Sequence, residues 1–134
     1  MPHLVVLYSG NLESETDMSG LCRRLADAML TVRDESSQQV FPTGGVRVFA
    51  YPAPHHAVAD GARDYAFVYL NLRIGRGRSA QVRQRAGDTL LAAARAHFAP
   101  LFARRHLGLT LQIDEGQEVF DGKESSIHPL FRKA

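Results

Sequence analysis

The chain has 134 residues, 45% hydrophobic and 22% charged, with a formal net charge of +2. That suits one water-soluble domain large enough to bury a core; it excludes a bilayer span of roughly 20 consecutive apolar residues, and the lone Cys22 excludes an internal disulfide. With neither a basic leader region nor a small-residue cleavage site at its start, the protein is expected in the cytoplasm.

His3 to Tyr8 (HLVVLY) is short, apolar and rich in β-branched residues, which predicts a buried strand. Pro2 stands just before it and has two readings. It is a proline tolerated at the start of a strand, or, once Met1 is removed, an N-terminal secondary amine able to take and return a proton. SGNLESETD is a polar connection. From Ser19 a helical pattern begins, with Leu21, Leu25, Ala28 and Val32 recurring at three- and four-residue steps. Cys22 falls on its apolar side, as a packed thiol. DESSQQVFPTGG reads as a loop, and Gly45 to Tyr51 (GVRVFAY) as a second strand. Arg47 then has apolar neighbours on either side, Val46 and Val48, so its charge needs a partner or a site. Pro52 and Pro54 break the pattern.

Tyr65 to Ile74 (YAFVYLNLRI) is the strongest strand signal in the chain. A tight GRGR connection follows, and Ser79 is placed to cap a helix running toward Phe98. Pro100 is expected to end or kink that helix. Leu107 to Ile113 (LGLTLQI) is a fourth strand. The remaining tail is polar but carries Phe120, Ile127, Leu130 and Phe131, which predicts packing on the domain or on a neighbouring subunit.

The order is therefore β-α-β followed by β-α-β, the halves offset by roughly 60 residues. The expected fold class is α/β: two fused β-α-β units, residues 1–60 and 61–114, with a tail over 115–134, in one domain. Strands within each unit should be parallel, forming a four-stranded sheet with both helices on one face. VVLY, VRVFA, YAFVYLNL and LGLTL cannot all be covered from one side, so the other face should drive oligomerisation.

Nearly every cation is arginine, since Lys123 and Lys133 are the only lysines. The planar guanidinium grips carboxylate or phosphate at two points, so the composition leans toward anionic ligands. Gly75-Arg76-Gly77-Arg78-Ser79-Ala80 matches the glycine pattern of a dinucleotide site. It lacks the acid expected roughly 20 residues later, because no acid lies between Asp88 and Asp114. The glycines are better read as a turn that presents Arg78 beside a helix N-terminus, where anions bind. His55 and His56 would point to opposite sides of an extended segment, with no third ligand at a useful spacing, so no metal is expected. No nucleophile elbow is present, and the aromatic signature of RNA-binding modules is absent, so no nucleic-acid partner is expected either.

MPHLVV, FPTGGVRV and DYAFVYLNLRIGRGRSAQVRQRAGDTL together resemble the tautomerase superfamily, whose members use an N-terminal proline as acid–base catalyst. The chain is most similar to a fused, two-unit branch, the 5-carboxymethyl-2-hydroxymuconate Δ-isomerase family. The resemblance implies a cofactor-free isomerase with a tautomerase-like fold. It would move a proton along a conjugated dienol polycarboxylate in aromatic-compound (homoprotocatechuate) degradation, as a homotrimer. It also implies roles: Pro2 as acid–base, Arg47 and Arg78 as catalytic and substrate-binding arginines, and Phe120 as an apolar wall. DESSQQVFP is longer than the family pattern.

The chemistry suits these residue types. An α-amino group titrates near ~8 in the reference state. Neighbouring guanidiniums and burial both disfavour its charged form, moving it toward the range where a general base works at neutral pH. The rival readings are a related tautomerase-fold enzyme acting on another enol acid, and a non-catalytic oligomer that binds a small anion.

Overall fold

In the computed structural model, which describes residues 2–131, β1 (His3–Ser9) leads through α1 (Met18–Thr31) to β2 (Val48–Ala53), and β3 (Tyr65–Ile74) through α2 (Ala80–Phe102) to β4 (His106–Glu115). The four strands run in the order β2-β1-β3-β4. β1 pairs parallel with β2, β3 parallel with β4, and β1 antiparallel with β3 across the middle. A helical crossover returns the chain for a parallel pairing, and the two units join through their first strands. Pro2 is thereby set at the head of a central strand.

Period-two alternation decides what the helices cover. Leu4, Val6 and Tyr8 of β1 and Val68, Leu70 and Leu72 of β3 are buried in one core with Leu21, Leu25 and Met29 of α1 and Leu90, Ala94 and Phe98 of α2. Asp17 caps α1 by accepting from the Gly20 N–H at 3.0 Å, and Ser79 caps α2 by accepting from the Val82 N–H at 3.1 Å. Each cap satisfies an orphan donor and contributes about 1 kcal/mol. On the opposite face Leu7, Phe49, Tyr51, Phe67 and Tyr69 stay 36–52% exposed in the single chain, so the bare apolar face expected from the sequence is present.

The structure corrects several local expectations. The second strand begins at Val48, not Gly45, because Pro42 opens a 3-10 turn over Thr43–Gly45. It runs through Pro52 to Ala53, which β2 accommodates as an edge strand that needs no donor on its outer side. Pro100 does not end α2, which continues to Phe102. Proline removes only the bond to the Ala96 carbonyl, and Leu101, 3% exposed, anchors the last turn in the core. The 34–42 segment is more than a loop: Arg33 and Gln39 form a β-bridge, and Phe41 is fully buried in the core. The tail folds back on its own domain, placing a 3-10 turn, His128–Phe131, against Thr43–Gly45. A Cβ on Gly44 would lie 2.5 Å from the His128 Cα, so this approach requires glycine. No helix among the described residues is long and apolar enough to cross a membrane.

Candidate active site

Pro2 is buried one residue ahead of β1. Strand register fixes its surroundings, because Leu4 pairs with Val48 and His3 with Arg73. Extending these ladders sets Pro2 between Val46 on the β2 side and Ile74 on the β3 side. The Leu4 N–H donates to the Arg47 carbonyl at 3.3 Å, so the β1–β2 ladder reaches back to the residue before β2. Arg47 thus approaches Pro2 from one flank. From the other come Gly75 and the turn that carries Arg78.

Arg47 is half-buried. Its Nη1 donates to the Gly45 carbonyl at 3.0 Å. Its Nε lies 3.2 Å from His3 Nδ1, and its Nη2 lies 2.9 Å from Nδ1 and 2.7 Å from Nε2 of the same ring. Burial, followed by the Arg47 and Arg73 guanidiniums, pushes the His3 imidazole below its ordinary value, with Asp121 opposing them. This pair opens on a cavity of about 650 Å³, whose lining also includes Val46, Arg23, Asp121 and Lys123.

Arg78 is held differently. Its guanidinium carbon stands 5.3 Å from the centroid of the Phe41 ring, a cation–π distance, and its Nη1 donates to the Gly75 carbonyl at 3.3 Å. Gly77 takes φ +110°, a conformation other residues rarely adopt, so the turn needs this glycine. Ser79 donates to the Glu35 carboxylate at 2.6 Å while it caps α2. That hydrogen bond is the main cause holding Glu35 below its usual range. Arg78 lines a smaller cavity of about 310 Å³ with Asp34, Glu35, Ser79 and Val82. Arg76 is exposed.

Within one chain, then, the two arginines flank the head of β1 but open on separate cavities. Phe120 stands apart from both: it is 86% exposed on the tail, and the larger of these two cavities takes Ile127 and Phe131 as its apolar lining from that tail instead. A groove of about 810 Å³ runs along α2 and β4, yet its lining contains none of Pro2, Arg47 or Arg78. Cys22 is half-buried, and burial pushes its thiol up, away from the reactive thiolate form. His56 Nδ1 lies 3.2 Å from the Ala53 carbonyl in an exposed bend, and no group of three or more His, Cys, Asp or Glu converges as a metal site among the described residues. Sequence reasoning missed His3 and Phe41. His3 was legible only as the residue beside Pro2, and nothing in the sequence signalled that Phe41 meets Arg78.

A fused 4-OT solved as a symmetric trimer superposes with a TM-score of 0.54 at 18% identity, over 97% of this chain and 99% of that one, which shows a shared fold. The chain is therefore a member of the tautomerase fold. Closer relatives narrow the class. The Escherichia coli 5-carboxymethyl-2-hydroxymuconate Delta-isomerase is 34% identical over 132 residues, 98% of this chain and 100% of that one. A solved 5-carboxymethyl-2-hydroxymuconate delta-isomerase is 59% identical with a TM-score of 0.96, over 100% of this chain and 95% of that one. Residues 2–131 match the family described as 5-carboxymethyl-2-hydroxymuconate isomerase. The chain belongs to that family and is an isomerase.

Proposed function

We propose that this isomerase converts 5-carboxymethyl-2-hydroxymuconate to its oxo isomer without a cofactor, using Pro2 as the single acid–base group. The observation that carries the reading is the register at the head of β1, which sets Pro2 between the segments bearing Arg47 and Arg78. With Met1 removed, the Pro2 nitrogen accepts the enol proton and the enol oxygen becomes a carbonyl. The displaced π electrons shift along the diene, and the prolinium returns its proton to the carbon at the far end. No electrons are gained or lost, and Pro2 ends neutral. Arg47 and Arg78 bind the substrate carboxylates in forked hydrogen bonds and stabilise the charge that develops on the 2-oxo oxygen.

The working form is a homotrimer in the cytoplasm, serving aromatic-compound degradation. The bare sheet face supports assembly, because side chains such as Phe49 and Tyr51, at 52% and 51% exposure, each retain roughly 1 kcal/mol of burial free energy for an interface. In the trimer a neighbouring tail supplies Phe120 as an apolar wall and brings the separate cavities into one site. Ultraviolet-monitored ketonisation of 5-carboxymethyl-2-hydroxymuconate tests the reading, with protein whose intact mass lacks Met1 set beside Pro2→Ala. The expected loss in Pro2→Ala is about 10²–10⁴-fold in kcat; equal turnover by both proteins would remove Pro2 as the base.

A further inference from the structure

We propose that His3 is a positioning residue for Arg47: its imidazole accepts from the guanidinium and fixes the plane of that fork beside Pro2. The inference rests on the reading of Arg47 as a substrate-binding arginine. Four facts converge on it. Backbone geometry brings the pair together, since the Leu4 N–H to Arg47 carbonyl bond sets His3 and Arg47 side by side at the end of the β1–β2 ladder. Nε at 3.2 Å and Nη2 at 2.9 Å both meet Nδ1, the ring nitrogen that accepts, and Nη2 also packs 2.7 Å from Nε2 without a hydrogen bond to it. The far side of the same guanidinium is tied by Nη1 to the Gly45 carbonyl at 3.0 Å, so the plane is held from two directions. Finally, His3 alternates away from the buried set of Leu4, Val6 and Tyr8, so its ring is committed to this polar end of the sheet and not to the core.

The chemistry demands a particular protonation state. A neutral imidazole has one nitrogen that accepts; an imidazolium has only donors. Protonation would therefore remove the acceptor and set a second cation against Arg47. The charged groups facing His3 are Arg47 from the segment before β2, the N-terminal ammonium, Arg73 from β3 and Asp121 from the tail, with Arg23 of α1 and Glu118, Lys123 and Glu124 of the tail around the same cavity. Because the folded-state value of His3 is depressed, the neutral ring and its hold on Arg47 are complete above the ordinary value of 6.5. They are lost as pH falls below 6.5 through the folded value. Pro2 as base loses activity toward acid pH as well, so the two protons must be separated by mutation.

The experiment has two arms. In the first, the His3 imidazole is titrated by NMR in the intact protein and in Arg47→Met, a readout that needs no turnover. The pairing predicts that the His3 value rises in Arg47→Met; an unmoved value would overturn the proposal. In the second, kcat/KM for the muconate is followed against pH in the wild type, His3→Asn and His3→Leu. Asparagine offers an acceptor at the position of Nδ1 and does not titrate. The wild type should lose activity toward acid with a two-proton slope, and His3→Asn with a one-proton slope at near-normal KM. His3→Leu, with no acceptor, should raise KM by about 10- to 100-fold, the worth of a hydrogen bond to a charged group. An unchanged KM in His3→Leu would overturn the proposal even if the pair titrates together. A wild type without turnover would instead refute the assigned reaction, while the NMR arm still decides the pairing.

Discussion

The two ends of the sheet both carry arginines, and they hold them in opposite ways. At the end where β1 leaves the sheet, Arg105 has an 8% exposed side chain and is clamped by the Glu15 carboxylate at 2.9 Å and the Asp64 carboxylate at 3.2 Å, with the Asn11 carbonyl also accepting from it. At the end where β1 begins, Arg78 lies over an aromatic ring and Arg47 against an imidazole. Carboxylates cancel a guanidinium's charge while they fix it; a ring or a neutral imidazole fixes the group and leaves that charge to act. One end is therefore a clasp that ties the segment after β1, the segment before β3 and the α2–β4 connection together, and the other is where the proposed reaction needs its anion-binding groups.

That contrast can be broken by mutating one arginine from each end. Arg78→Ala should reduce kcat/KM by about 10²–10³-fold, the loss typical of a removed transition-state donor. Its stability in urea should stay within about 0.5 kcal/mol, as for other partly exposed positions. Arg105→Met should reverse the pattern. It leaves Glu15 with only the exposed Arg104 at 3.3 Å and costs ~2 kcal/mol in urea unfolding, below the full buried-pair range because that pair remains and Asp64 is largely exposed. Turnover per folded molecule should stay within about twofold of wild type. A catalytic loss in Arg105→Met equal to that in Arg78→Ala would erase the distinction between the ends.

Much of this was legible in the sequence, and what was missed shares one cause. β3 was read to the residue because ten residues of alternating burial, bounded by Gly75, leave no other period to fit. β2 was placed three residues early because GVRVFAY is apolar throughout, and only the turn geometry at Thr43–Gly45 shows where pairing starts. Pro52 looked like a breaker, since being an edge strand is a property of the sheet and not of the segment. The residues that seat the arginines were hidden for the same reason. Phe41 lies 37 positions from Arg78, and His3 lies 44 from Arg47; neither distance has a local signature. Pro2, Arg47 and Arg78 stood out in the sequence by position, while the roles expected of them came from a family resemblance. The fold sets the first two side by side and Arg78 on the other flank, while Phe120 stands in solvent in the single chain.

The central claim is that Pro2 works as a free amine, and one comparison addresses it with no side chain altered. Protein with Met1 removed and protein retaining Met1 are separated by intact mass and assayed on 5-carboxymethyl-2-hydroxymuconate at equal concentration. Turnover is expected in the processed form, with a loss of about 10²–10⁴-fold in the form whose Pro2 nitrogen is an amide. Equal rates in the two forms would contradict it.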